Sequence, residues 1–212
     1  MAPGGVTRVD EAVARSRAND AMERYADGDD SAFPALYDEL APRLLRFAAR
    51  QLHGRAAAED VVQQTLLQMH VARAHFTRGA AVLPWAYAIA RRLVIDLGRR
   101  QRHEDLRGDA RDGSEEPSPA AAPDEALHAK RSEAALGRDL LRLPPAQREA
   151  FELIKLEGLS VAECAEVLGI TQGMAKIRAH RATVALREAH LRRERAFTVL
   201  EVGGRDEEES PS

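Results

Sequence analysis

The sequence predicts an all-α protein: two small helical domains joined by a flexible linker, the second ending in a helix-turn-helix. Three features point to it. Ala, Leu, Arg and Glu are plentiful, aromatic residues make up 4% of the chain, and the alternating β-branched runs that mark strands are absent. Apolar residues recur at helical spacing in block after block. Between the blocks, Gly113-Ser-Glu-Glu-Pro-Ser-Pro-Ala-Ala-Ala-Pro123 has no large apolar residue, the composition of a linker that buries no core. At 212 residues and 44% hydrophobic content, the chain holds one or two domains.

Residues 1–24 are polar and mixed in charge, and read as a frayed helix or a disordered extension. The first domain is expected over 25–102. Phe33, Leu36, Tyr37, Leu40, Leu44, Phe47 and Ala48 form one apolar stripe, interrupted by Pro42, where the helix should kink or restart. A second helix is predicted from about Ala57 to Ala74, with Ala58, Val61, Val62, Thr65, Leu66 and Met69 inward. A third begins at Pro84, a good first-turn residue. Its inner side is read as Trp85, Ala88, Ile89, Leu93 and Leu97, with Arg92, Arg99 and Arg100 broadly opposite. The linker spans 103–123.

The second domain is expected over 124–192. Leu127, Leu136, Leu140 and Leu143 predict a helix that stops at Pro144-Pro145. Another follows with Phe151 and Ile154, broken at Gly158. Ser160 followed by Glu163 is a capping box that starts the next helix, whose apolar face is Val161, Ala165 and Leu168. Gly169 suits the left-handed residue that ends it, Ile170 fills the angle of the turn, and Thr171 caps the final helix. On that helix positions 173, 176, 177, 180 and 181 share one face, and Ala175, Ala179 and Ala182 lie closer to the other. An acidic tail, 193–212, closes the chain.

Charge is unevenly placed. The net value is −3, yet Arg91, Arg92, Arg99, Arg100 and Arg102 cluster, while acids gather from Glu104 to Glu116 and from Asp206 to Glu209. The single cysteine, Cys164, excludes an internal disulfide and reads as a small core residue. The histidines do not pair with it at zinc-ligand spacing, so no metal is expected. No apolar run reaches membrane-spanning length and no signal-peptide core is seen, so a cytoplasmic protein without membrane insertion is expected. Gly-rich phosphate loops are absent, and so is a nucleophile beside a His/Asp pair. The chain is read as having no catalytic residues, no cofactor and no enzyme activity.

Three surfaces remain as candidates. Asp60, Gln63, Gln64 and Gln68 form one polar strip, which fits either a partner helix or a solvated face. The loop Ala74-His-Phe-Thr-Arg-Gly-Ala-Ala-Val-Leu83 brings Phe76 beside Arg78, a pair that can hold an unstacked base or merely cap the core. The hairpin's second helix carries Lys176, Arg178, His180 and Arg181, and a basic second helix is what such a motif delivers into a DNA major groove.

The order of these parts resembles a bacterial extracytoplasmic-function (ECF) sigma factor. Ala58-Glu-Asp-Val-Val-Gln-Gln-Thr-Leu-Leu-Gln-Met-His70 and Pro84-Trp-Ala-Tyr-Ala-Ile-Ala-Arg-Arg-Leu-Val-Ile-Asp-Leu-Gly-Arg-Arg100 match a region 2 domain. Leu143-Pro-Pro-Ala-Gln-Arg-Glu-Ala-Phe151 and the hairpin match a region 4 domain. The likeness covers about Asp30 to Gln101 and Asp124 to Leu191. It implies a protein that binds core RNA polymerase, recognises promoter DNA in both double- and single-stranded form, and helps to open it. An anti-sigma factor is a further partner of such proteins. By this resemblance Asp60, Gln63 and Gln64 face the polymerase. Phe76, Arg78, Arg91, Arg92, Arg99 and Arg100 serve the minus-ten element. Gln172, Lys176, Ile177, Arg178, His180 and Arg181 serve the minus-thirty-five element.

This chain departs from the family pattern in its recognition helix, Gly173-Met-Ala-Lys-Ile-Arg-Ala-His-Arg-Ala182. There Ile177 replaces a small polar residue, and Ala175 and Ala179 replace larger ones. Arg92 stands where asparagine is common, and Gly98 weakens its helix end by roughly 1 kcal/mol relative to Ala. Two rival functions compete with the sigma-factor expectation: a regulator that uses the hairpin without polymerase, and a sigma-like adaptor that binds only proteins.

Overall fold

The computed structural model describes residues 8–52, 54–105 and 134–203, and no strand occurs among them. In chain order the helices are α1 (Arg8–Ala26), α2 (Phe33–Ala49), α3 (Arg55–Ala72) and α4 (Val82–Asp105). They continue with α5 (134–142), α6 (Pro145–Phe151), α7 (Val161–Leu168) and α8 (Gln172–Gly203). Two compact units result. One falls within Met1–Ser118 and takes in Leu153–Gln172; the other falls within Pro119–Glu152 and Gly173–Ser212.

The first unit is built on α1 to α4. Residues 8–24, expected to be a frayed helix or a disordered extension, are helical and contribute Ala18, Ala21 and Met22 to the core, with Tyr25 on the next turn. Two of these four are alanines, and all four lie among many charged residues, so the helix has almost no apolar stripe to read. Tyr25 fastens this end: its ring lies 5.3 Å from that of Phe33, its hydroxyl meets Nδ1 of His70, and the Arg73 guanidinium sits 5.5 Å above it.

Helix α2 runs without a break through Pro42, where a kink or a restart was expected. Leu36, Leu40, Leu44, Phe47 and Ala48 are buried as the stripe predicts, but Tyr37 is exposed. All six residues expected inward on α3 are buried. Thr65 among them returns its hydroxyl to the Val61 carbonyl at 2.7 Å, which satisfies it inside the core.

The core face of α4 differs from the expected one. Val82, Leu83, Ala86, Tyr87, Ala90 and Val94 are buried, whereas Ala88 is exposed and Trp85, Ile89, Leu93 and Leu97 are only half-buried. Tyr87 explains the choice. Its ring packs edge-on to Phe47 at 5.3 Å, and its hydroxyl donates to Oε2 of Glu157 at 2.5 Å. Glu157 is 1% exposed, and Arg50 pairs with its other oxygen. Nearby, Arg15 donates to the Gly158 carbonyl at 2.7 Å and pairs with Glu163. A buried carboxylate is tolerable only with such donors around it.

The second unit has its own apolar cluster of Leu140, Leu143, Ala182 and Leu186, with Phe151 and Ala185 packed against it. Asp139, 6% exposed, pairs with Arg193. Leu136 lies exposed at the rim, and Leu127 and the linker core at 106–123 lie outside the described residues. After Phe151 the chain passes through a π-helical turn, Glu152–Leu156. Helix α8 continues to Gly203, past residue 193, where the acidic tail was expected to start.

Burial and the adjacent Glu157 carboxylate raise the Tyr87 hydroxyl well above its ordinary value of 10.0. The fold therefore favours the neutral phenol. That share of stability is complete below pH 10.0 and is lost as pH rises through the elevated folded value. In urea unfolding across pH, the wild type should lose stability more steeply above pH 10 than Tyr87→Phe does. At neutral pH Tyr87→Phe should cost about 1–3 kcal/mol, because Glu157 loses a donor. Parallel pH profiles for the two proteins would contradict this assignment.

Candidate functional site

On α3 the polar strip is where the spacing put it. Asp60, Gln63, Gln64 and Gln68 are all exposed. Two apolar residues join it that the sequence reading missed: Leu67 is 53% exposed and Val71 is 74% exposed. Asp60, Gln64, Leu67 and Val71 recur at four-, three- and four-residue steps, which aligns them along one face. The heptad-like step was the available signal, but in sequence Leu67 looks like one more core residue. An exposed strip mixing amides, one carboxylate and two aliphatics has the make-up of a contact surface for another protein. Gln63 also helps to line a groove between α2 and α3, with Tyr37, Pro42, Leu45 and Val62.

The inward turn of Tyr87 decides what α4 presents outside. Arg92, Arg99 and Arg100 are exposed, and they share a face with half-buried Trp85 and Ile89, not the opposite one. Size and apolarity alone place Trp85 and Ile89 in the core, and the structure places them on the outward side. The true core side is built from Val82, Leu83, Ala86, Tyr87, Ala90 and Val94. Asp96 is exposed on the same outward face, and Arg91 is half-buried at its flank.

Phe76 extends this surface from the loop before α4. Its ring stacks at a tilt on Trp85, with centroids 5.5 Å apart. An aromatic pair at the head of an arginine-bearing helix offers a stacking platform followed by phosphate-binding charge. Arg78 is not a bare cation: it pairs with Asp27, and both side chains are exposed, at 72% and 48%. Such a pair is worth little in water and yields readily to a stronger anion.

The hairpin's local chemistry matches its sequence. The Ser160 hydroxyl accepts from the Glu163 amide at 3.2 Å, and the Glu163 carboxylate accepts from the Ser160 amide at 2.7 Å. Gly169 ends α7 with φ +63°, a left-handed conformation that suits glycine. Cys164 is fully buried. Along α8, Ala175, Ala179 and Ala182 are buried, while Gln172, Lys176, Ile177, His180 and Arg181 are exposed and Arg178 is half-buried. From Gln172 to Val184 there is no acidic residue, so the exposed face is uniformly basic in its charge.

Among the described residues no group of three or more His, Cys, Asp or Glu side chains is placed to hold a metal ion. No described helix is long and apolar enough to cross a membrane.

Known proteins share this arrangement. Residues 36–104 match the model of sigma-70 region 2, and residues 134–186 match that of sigma-70 region 4. The chain is similar to the RNA polymerase sigma factor CarQ of Myxococcus xanthus, with 39% identity over 79% of this chain and 94% of that one. It is also similar to the ECF RNA polymerase sigma factor SigF of Caulobacter vibrioides, with 34% identity over 79% of this chain and 90% of that one. Among solved structures, it resembles the sigma factor RpoE of Bartonella quintana in complex with the anti-sigma factor NepR. There the TM-score is 0.60 at 26% identity, covering 74% of this chain and 95% of that chain.

Proposed function

The chain belongs to the extracytoplasmic-function family of RNA polymerase sigma factors, and on that premise we propose how its residues divide the work of promoter recognition. The strip of Asp60, Gln63 and Gln64 on α3, continued by Leu67 and Val71, docks on core RNA polymerase. Phe76 and Trp85 receive an unstacked base of the minus-ten element. Arg78, Arg91, Arg92, Arg99 and Arg100 hold its backbone. Gln172, Lys176, Ile177, Arg178, His180 and Arg181 enter the major groove at the minus-thirty-five element. Lys176 reads a base edge, Arg181 holds a phosphate, and Ile177 contributes apolar contact to a thymine methyl.

The main support is the outward face of α4, where a stacked aromatic pair leads into a row of exposed arginines. That combination suits single-stranded and distorted DNA better than a closed duplex. A regulator using the hairpin alone would leave this face and the α3 strip without a role. The protein acts in the cytoplasm, performs no chemistry of its own and needs no cofactor. An anti-sigma factor is a fitting regulator, since the Bartonella sigma factor was captured with one.

Two variants test the division of labour. Asp60→Ala combined with Gln64→Ala should keep helicity and weaken binding to core polymerase, measured directly with fluorescently labelled protein. Unchanged affinity would remove the α3 strip from the interface. Lys176→Ala, assayed on single-base variants of the upstream element, should lose about 1–3 kcal/mol and relax preference at one position. The same order and spread of affinities as wild type would show that Lys176 reads no base.

A further inference from the structure

The loop that carries Phe76 and Arg78 is held in place by a helix outside the matched region, which begins at residue 36. Three residues of the α1 segment face it at four-residue steps. The Asn19 side-chain carbonyl accepts from the Val82 amide at 2.9 Å. The Glu23 carboxylate accepts from the Gly79 amide at 2.8 Å. Asp27, one residue past the end of α1, pairs with Arg78. Val82 opens α4, so Asn19 caps from a distance one of the amides that every helix start leaves without an internal partner. Gly79 has φ +77°, a turn that its own neighbours support with a single hydrogen bond, from the Ala80 amide to the Thr77 carbonyl at 3.0 Å.

We propose that α1 is a positioning element for the minus-ten loop, with Glu23 as its central residue. By fixing the Gly79 and Val82 amides, Glu23 and Asn19 set the loop's conformation before DNA arrives. A preset loop does not have to be ordered at the moment of binding, so less entropy opposes capture of the flipped base. Asp27 holds Arg78 extended over the same loop and releases it to a phosphate. Glu23 works through its acceptor oxygen and not through its charge, which would repel DNA. An amide at the same position therefore substitutes for it.

This inference rests on the minus-ten reading of the loop, and the test separates the two. The probe is a fluorescent single-stranded oligonucleotide carrying the non-template strand of a promoter mapped with this holoenzyme. Its affinity is measured for holoenzymes assembled with wild type, Glu23→Ala, Glu23→Gln, Asn19→Ala and Phe76→Ala. Glu23→Ala should bind the strand roughly three- to tenfold more weakly, with Asn19→Ala in the same direction. Glu23→Gln should stay within about twofold of wild type, since it retains the acceptor. Hydrogen exchange of the 76–82 amides in the free proteins should accelerate in Glu23→Ala and not in Glu23→Gln. Wild-type affinity and exchange in Glu23→Ala would overturn the proposal, as would a loss in Glu23→Gln as large as that in Glu23→Ala. If Phe76→Ala weakens binding while Glu23→Ala and Asn19→Ala do not, the role of α1 fails and the loop reading stands. If Phe76→Ala also binds as wild type, the loop reading fails with it.

Discussion

A carboxylate with almost no access to water, Glu157, governs how the first unit presents itself. Leaving such a group without donors would cost several kcal/mol, so Tyr87 and Arg50 must reach it, and both do. Once Tyr87 points inward between Phe47 and Glu157, the rotation of α4 is fixed. The helix then has only one face to offer outside, the one with Trp85, Ile89, Arg92 and Arg99. The position of Phe76 follows, because its ring rests on Trp85. A buried tyrosine thus sets the surface proposed for recognition.

The three proposed contact surfaces share a design. Each lies on a regular helix whose opposite face is buried. On α3 the anchor is Ala58, Val61, Val62, Thr65, Leu66 and Met69; on α8 it includes Ala175, Ala179 and Ala182. Two of the surfaces are locally basic, yet the chain as a whole carries −3. Affinity for a promoter therefore comes from modest contacts acting together on one chain, through effective concentration.

Legibility in the sequence followed side-chain size and chain distance. The capping box at Ser160 and the left-handed Gly169 were readable because they are local chemistry with fixed offsets. The inward set of α3 was readable because β-branched and long apolar residues mark it. The share of α1 in the core was not readable because its buried residues, Ala18, Ala21, Met22 and Tyr25, are few and set amid many charges. The face of α4 was misassigned for a related reason: Trp85 and Ile89, large and apolar, lie on the outward side, while Tyr87 and two alanines share the core with Val82, Leu83 and Val94. Tyr37 was read as core for the same bias toward size. Glu157 could not be recognised as buried at all, since its partners lie 70 and 107 residues away. The tether of Arg78 to Asp27, 51 residues apart, was hidden in the same way.

The central claim is that this chain confers promoter selectivity on RNA polymerase, with α4 and α8 touching two separate elements of one site. Transcription start mapping by purified core polymerase on fragmented genomic DNA, with and without the protein, tests it most directly. Starts that appear only with the protein, and that share two sequence elements upstream at a constant spacing, are the predicted result. Binding of the protein to DNA without any new start, or new starts with only one shared element, would contradict the account.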